Sequence, residues 1–267
     1  MNTAICQKSL PFAPWMQAVS RRLPGVQPVS LEEWLQVDDA YSAQMTYRAR
    51  LVSGKGQQVL RCDPACRDAA CELLGMVLTH IPRLGFEFVG DGSVLRPDGV
   101  SVQLDNARPL WTLSQLVQED FLILQKEGDR HVLRGALLCF PASWALDQKF
   151  GHGLTEIHTP VEEYDDNIAR RVERLFHAAR AGQPLMRANA LRYRDPDLYH
   201  PRRGSDTDRS AGTYIRSERQ TILRLPETGA VVFSIHTYLV READLSPDQT
   251  AGLLRHPIEM PAGEMTP

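Results

Sequence analysis

Two long runs of strand-forming residues near the C-terminal end constrain the fold of this chain most. Residues 213–225 and 230–240 are rich in β-branched and aromatic side chains, and Pro226-Glu227-Thr228-Gly229 separates them. Such runs favour strands, and a short segment with proline and glycine favours a turn between them. The sequence therefore predicts a long antiparallel hairpin.

Other segments add strands and helices around this hairpin. A second hairpin is predicted from 121–124 and 132–140, short strands with Asp-Gly turns over 86–104, and a further hairpin from 46–52 and 57–61. Capping residues and helical apolar spacing predict helices in five places, which are a short one after Ser30, one after Asp63-Pro64, one near Leu113, one over 164–181 and one from Ser246. This mixture predicts an α+β fold in which helices surround an antiparallel sheet.

Composition narrows the class of protein. The chain has 267 residues, a formal net charge of -3 and 43% hydrophobic residues, which is typical of a globular protein and unlike the basic excess of nucleic-acid-coating proteins. No apolar run approaches membrane-spanning length, and residues 1–16 lack a signal-peptide pattern. Five cysteines without a metal-binding spacing indicate reduced thiols in a cytoplasmic protein. We expect one domain over 1–256, followed by a loose tail from 257.

The strand predicted at 213–225 carries an unusual polar face. Alternation places Arg216, Glu218 and Gln220 on one side, with Arg224 further along. A solvated sheet face is one interpretation and a binding site is the other. The next strand has its own polar side, which includes His236 and Tyr238. A loop with an odd number of residues, or a bulge, would bring Glu218 opposite Tyr238 and Gln220 opposite His236, whereas a four-residue loop would separate the two polar sides. The pattern therefore predicts an odd loop or a bulge.

Histidine and arginine are the other candidate site residues. His152 and His158 lie in a segment punctuated by glycine and proline between a predicted strand and a predicted helix. Such histidines serve either as hydrogen-bonded structural residues or as axial ligands of haem. Nine arginines fall between 187 and 224, and arginine suits carboxylates and phosphates. Arg216 and Arg224, on the strand face with Glu218, are the candidates for binding an anion.

Several ordered motifs resemble one known family. They are WL at 34–35, DDAY at 38–41, LVQED at 116–120, CFPASW at 139–144, KFG at 149–151, IHTPV at 157–161, RAN at 187–189, IRSERQTILRLP at 215–226 and FSIHTYL at 233–239. In this order and spacing they resemble the haem-dependent oxidative N-demethylase family, specifically its haem-carrying alpha subunit, over most of the chain.

The resemblance implies a PAS-like fold, an antiparallel sheet with helices around a haem b pocket. It implies oxidation of a small secondary amine such as dimethylamine by dioxygen with release of formaldehyde, and electrons from NADPH through a separate flavin and iron–sulfur reductase. His158 is then the proximal iron ligand and metal-binding residue, with His152 as the fallback. Further roles follow for the remaining candidates: Glu218, Tyr238 and His236 at the substrate, and Arg187, Arg216 and Arg224 at the haem.

At three positions this chain differs from the residues that the resemblance to the family implies. Ala190 stands where the family has tryptophan, His236 where it often has arginine, and Glu162 where it often has proline. If Ala190 and His236 line the pocket, the substrate differs in size and polarity from dimethylamine. Two other functions remain open on the same scaffold, a non-catalytic haem protein that senses gas and a haem-free protein that binds a small ligand.

Overall fold

The structure is a computed structural model that describes residues 3–21, 25–158, 166–201 and 212–258. Its α-helices are α1 Tyr41–Lys55, α2 Arg67–His80, α3 Pro109–Leu116, α4 Leu154–His158, α5 Asp166–Ala178 and α6 Pro247–Arg255. Its strands are β1 Gln27–Pro28, β2 Leu60–Cys62, β3 Glu87–Val89, β4 Ser93–Leu95, β5 Ser101–Gln103, β6 Asp120–Glu127, β7 Arg130–Leu137, β8 Leu185–Tyr193, β9 Tyr214–Arg224 and β10 Val231–Arg241.

Seven of these strands form one antiparallel sheet in the order β1-β8-β9-β10-β6-β7-β2. The remaining three, β3-β4-β5, form a small separate sheet, as the Asp-Gly turns predicted. The long hairpin is β9 and β10, and the second predicted hairpin is β6 and β7. The architecture confirms the α+β prediction.

Helices cover both faces of the large sheet. One face, called here the Glu218 face, carries Arg187, Asn189, Arg216, Glu218, Gln220 and Arg224, and its apolar part around Ile222 packs with Leu154 of α4 and Phe176 of α5. The other, called here the His236 face, carries Ser217, Arg219, Ser234, His236 and Tyr238. Its apolar part packs with α1, α2 and α3 through side chains such as Met45, Leu73 and Leu113. Burial on both faces explains why β9 and β10 are almost continuously buried.

The hairpin predicted over 46–61 is wrong, because α1 occupies most of that segment. Tyr41, Met45, Arg48 and Leu51 are buried at helical spacing, so one side of a helix reaches the core. Residues 53–56, which the predicted hairpin would use as its turn, instead form the end of this helix. Gly56 stops it with a φ of 52°, a conformation that glycine adopts without strain.

The other helix predictions are confirmed, three of them by their caps, and the helix near Leu113 is α3. Ser30 and Glu33 form a capping box, Asp63 accepts from the backbone N–H of Ala65, and Ser246 caps α6. The helix predicted over 164–181 is α5, whose described part begins at Asp166, so Tyr164 lies outside the described residues. The tail predicted from 257 lies outside them from residue 259 onward.

The predicted odd loop between the two long strands is wrong. Arg224 pairs with Val231, and Leu225 donates its N–H to the carbonyl of Ala230 at 2.9 Å. These bonds close a four-residue loop, Pro226 to Gly229, in which Gly229 has a φ of 69°. Glu218 therefore pairs with Thr237, so its side chain lies on the opposite face of the sheet from those of His236 and Tyr238.

The structure also describes the cysteines and the apolar character of the helices. All five cysteines are free. Burial raises the pKa of the Cys139 thiol to about 12, so this thiol stays protonated at neutral pH. Within the described ranges, no helix combines the length and the apolar character that crossing a bilayer requires.

Gly135 in β7 is predicted to be intolerant of alanine. A Cβ atom there would lie 2.8 Å from Cys66 Sγ and 3.3 Å from Ile123, so β7 and the start of α2 would have to separate. We expect Gly135→Ala to lower the free energy of unfolding by about 1–3 kcal/mol, measured by urea denaturation. Gly75→Ala is the matched control, because a Cβ in this α2 position meets nothing within 4 Å and alanine favours the helix. Equal stabilities of the two variants would contradict the close approach.

Candidate functional site

A buried ion pair lies at the centre of the Glu218 face. Arg216 Nη2 is 2.9 Å and Arg216 Nε is 3.1 Å from Glu218 Oε1, and the Arg216 side chain is fully buried. The guanidinium also donates to the carbonyls of Phe140 and Leu198. Because all its bonding directions except one are matched to fixed acceptors, Arg216 is held rigidly in place.

The second carboxylate oxygen of Glu218 faces two side-chain amides. Gln220 Nε2 donates to Glu218 Oε2 at 2.8 Å, and Asn189 Nδ2 donates to it at 3.3 Å. Asn189 Oδ1 also accepts from the backbone N–H of Glu218 at 3.2 Å. Each carboxylate oxygen has about two lone-pair directions, so Oε2 is held by amides while Oε1 is held by arginine. The result is a carboxylate at a fixed position and orientation.

Arg187 is the arginine of this face with an unmatched guanidinium. It lies directly opposite Gln220 in the pairing of β8 with β9 and is half-buried. Burial lowers its pKa, and the charge of Glu218 opposes that shift only in part. No described residue forms a hydrogen bond or an ion pair with its guanidinium, so an added carboxylate would stabilise it.

Arg224 has a different role from the one predicted. Its guanidinium donates to the carbonyls of Phe176 and Ala179 at 3.0 and 2.8 Å, and to the carbonyl of Gly229 at 2.6 Å. These are carbonyls at the end of α5 and in the β9–β10 loop, which a cation stabilises. Arg216 and Arg224 thus each donate to several acceptors within the protein, whereas no described residue bonds to the guanidinium of Arg187.

His236 and Tyr238 lie on the other face, away from Glu218. His236 Nε2 is 3.0 Å from Asp38 Oδ2, and Nδ1 is 3.1 Å from Glu119 Oε1. Burial opposes a charge on His236, but the hydrogen bonds and charges of both carboxylates outweigh it and raise its pKa to about 9. Tyr238 packs edge-on against Phe12, and burial raises its pKa. The prediction that these residues share a site with Glu218 is therefore wrong.

Of the two histidines that are candidates for the iron ligand, the structure describes the side chain of His152 but not that of His158. His158 is the last residue of α4, next to Ile157, which packs on the apolar part of the Glu218 face. The His158 side chain lies outside the described residues. The His152 side chain is 53% exposed and lies 3.5 Å from Glu156. Of the two positions, that of His158 is next to the apolar cluster.

The positions that depart from the family pattern also lie away from Glu218. Ala190 pairs with Ser217 and therefore belongs to the His236 face, like His236 itself. Glu162 lies outside the described residues. Neither Ala190 nor His236 therefore lies on the Glu218 face of the sheet.

Sequence reasoning missed Asn189 as a site residue. The signal was present, since Arg187 and Asn189 alternate on one side of a strand. What the sequence lacked was the order of the strands, because only the pairing of β8 with β9 brings Asn189 opposite Glu218.

The fold and the site define an α+β protein whose antiparallel sheet buries an arginine–carboxylate pair, flanked by amides and one unmatched arginine. A family model described as haem-dependent oxidative N-demethylase, alpha subunit-like, matches residues 25–265. The chain belongs to this family. The description states a dependence on haem and an oxidative N-demethylation, and the term alpha subunit implies a second subunit.

Proposed function

We propose that this chain is the haem-carrying subunit of an enzyme that uses dioxygen to remove a methyl group from a small secondary amine such as dimethylamine. The lost carbon leaves as formaldehyde, and the two electrons that the reaction needs come from NADPH through a separate flavin and iron–sulfur reductase. The family match over 25–265 carries this proposal. The alpha-subunit description supports the separate reductase.

The Glu218 face offers the groups that a haem b needs. Haem has a flat apolar ring, an iron that takes an imidazole ligand and two propionate carboxylates. Leu154, Ile157 and Phe176 supply apolar surface beside this face, and Arg187 supplies an unmatched guanidinium for a propionate. In this proposal His158 binds the iron and the surrounding fold is PAS-like. Bound haem supplies the dioxygen chemistry, which side chains cannot provide.

Glu218 is the residue proposed to hold the amine. A secondary ammonium ion has two N–H groups, and a carboxylate oxygen accepts from them more strongly than a neutral acceptor does. Gln220 fixes Oε2 of Glu218 at 2.8 Å, and the amine would replace the longer amide contact, that of Asn189 at 3.3 Å, so its nitrogen would be held in one position. Glu218 is only 4% exposed, so a bound amine would leave water, which strengthens this contact.

The haem proposal is tested by the absorbance of the purified chain. We expect protein from haem-replete cells to show a Soret band, and His158→Ala to lose it because the iron loses its imidazole ligand. His152→Ala is the matched control and is expected to keep the band, since the His152 side chain is exposed. With NADPH, the reductase, dioxygen and dimethylamine, formaldehyde is expected to form.

Each result against the proposal has a separate meaning. A colourless protein that does not take up added haemin would contradict haem binding altogether. A normal Soret band in His158→Ala would move the iron ligand to another residue. Haem binding without formaldehyde from any small secondary amine would favour a sensor over an enzyme.

A further inference from the structure

A cluster of two histidines and a glutamate lies where α5 packs against the start of β7. Within the described part of the chain, His131, Glu173 and His177 offer ligand atoms that all lie within 4.8 Å of one another. Glu173 and His177 are four residues apart in α5, so both side chains leave the same side of the helix. His131 reaches them from β7.

The contacts within the cluster orient its members. Glu173 Oε1 lies 2.6 Å from His131 Nδ1 and 3.5 Å from His177 Nδ1. The two imidazole rings are nearly perpendicular, with centroids 4.7 Å apart. Glu173 Oε1 also accepts the backbone N–H of His131 at 3.0 Å, which fixes the carboxylate against the strand. Glu173 is therefore the member of the cluster that both imidazoles approach.

An unpartnered buried nitrogen is the second observation that indicates a ligand. The His131 side chain is fully buried, and its Nε2 atom has no hydrogen-bond partner among the described residues. Buried polar atoms are nearly always bonded in proteins, so an orphaned imidazole nitrogen requires an explanation.

We propose that His131, Glu173 and His177 bind one divalent first-row transition-metal ion of the Zn²⁺ type. Two imidazoles and one carboxylate form a nitrogen- and oxygen-donor set that suits Zn²⁺ and related ions, whereas Mg²⁺ and Ca²⁺ prefer oxygen donors alone. His177 is 34% and Glu173 is 20% exposed, so an ion can enter from solvent and keep water as a further ligand. The nearby Arg224 does not occupy the carboxylate, because its guanidinium donates to backbone carbonyls.

The simplest competing explanation is that the cluster only fastens α5 to β7 through hydrogen bonds. Both explanations predict that removing its members lowers stability. Only the metal site predicts saturable ion binding that depends on these side chains, so binding is the quantity to measure.

Calorimetric titration of the chelator-treated full chain with Zn²⁺ tests the proposal. We expect one Zn²⁺ per chain, and affinity at least about tenfold weaker in His177→Ala and in Glu173→Gln. These variants are chosen because their side chains are partly exposed, whereas His131→Ala would empty a fully buried position and confuse lost binding with misfolding. Mg²⁺ is expected not to compete.

His152→Ala is the matched control. His152 and Glu156 have the same order-reversed spacing of four residues and a similar contact of 3.5 Å, but no second histidine lies with them among the described residues. This variant is expected to bind Zn²⁺ as the wild type does, and Zn²⁺ should raise the Tm of both but not that of His177→Ala. Absence of saturable binding to the wild type, or unchanged affinity in both cluster variants, would overturn the proposal.

Discussion

Glu218→Gln is expected to lower the free energy of unfolding by about 3–5 kcal/mol, because it leaves a buried guanidinium without its counter-charge. Arg216 is fully buried and Glu218 nearly so, which means that water cannot replace the lost carboxylate. Glutamine keeps the shape of the side chain, so the decrease in the free energy of unfolding measures the effect of removing the charge. The expected loss is a large share of the roughly 5–15 kcal/mol that stabilises a typical domain.

An exposed pair in the same sheet provides the control for Glu218→Gln. Arg134 and Glu127 approach to 2.6 Å, but their side chains are 28% and 45% exposed. Glu127→Gln is therefore expected to cost at most about 1 kcal/mol. Urea denaturation of both variants gives the comparison, provided that the m-value is unchanged. A Glu218→Gln variant no less stable than Glu127→Gln would show that the buried pair does not need its charge.

A double-mutant cycle separates the pair from its surroundings. Arg216→Met combined with Glu218→Gln removes both charges, so the double variant should be more stable than the sum of the two single changes predicts. Coupling between the two sites near zero would mean that the carbonyls of Phe140 and Leu198, and not Glu218, hold the guanidinium.

Local signals in the sequence predicted most of the fold. The caps at Ser30, Asp63 and Ser246 and the two long hairpins are all set by neighbouring residues, and the structure confirms each of them. The prediction for the segment that forms α1 was wrong because the polar residues Gln44 and Arg48 are buried on the inner side of the helix. Their polarity hides the helical spacing of its apolar residues. Their partners, Gln118 and Asp120, lie far away in the chain.

The site was only half predictable for a related reason. Alternation correctly grouped Arg216, Glu218 and Gln220, because that grouping depends on one strand alone. Placing His236 with them depended on the register between two strands. Polar side chains normally indicate the solvent side and so fix the register, but here both faces are buried and each has its own polar network. The four-residue loop decided the register instead.

His236 is expected to make the stability of the chain fall as the pH rises from about 6.5 to about 9. Its pKa is raised to about 9 in the folded chain, against an ordinary value of about 6.5 in the unfolded chain. The stabilising charge is therefore fully present below pH 6.5 and is lost as the pH rises through the folded pKa. A shift of this size corresponds to roughly 3 kcal/mol. Urea denaturation over this pH range measures it.

The ionisation of Asp38 sets the lower pH limit of its contact with His236. Its burial would raise its pKa, but the hydrogen bond and charge of His236 lower it below the ordinary value. A lowered carboxylate pKa stabilises the fold above the unfolded value and is lost as the pH falls through the folded one. The contact between Asp38 and β10 should thus be strongest between about pH 5 and 6.5.

His236→Arg isolates the titration of this histidine from that of other groups. Burial lowers the pKa of Lys149 to about 8, so Lys149 titrates in the same pH range in both proteins. Its effect cancels when the stability loss of the variant is subtracted from that of the wild type. Arginine keeps its charge throughout, so the variant should not show the alkaline loss attributed to His236. His236→Gln should be destabilised by about 3–5 kcal/mol near pH 6.5, since Glu119 is 1% exposed and would lose its cation. Equal alkaline losses in the wild type and His236→Arg would show that His236 is not the titrating group.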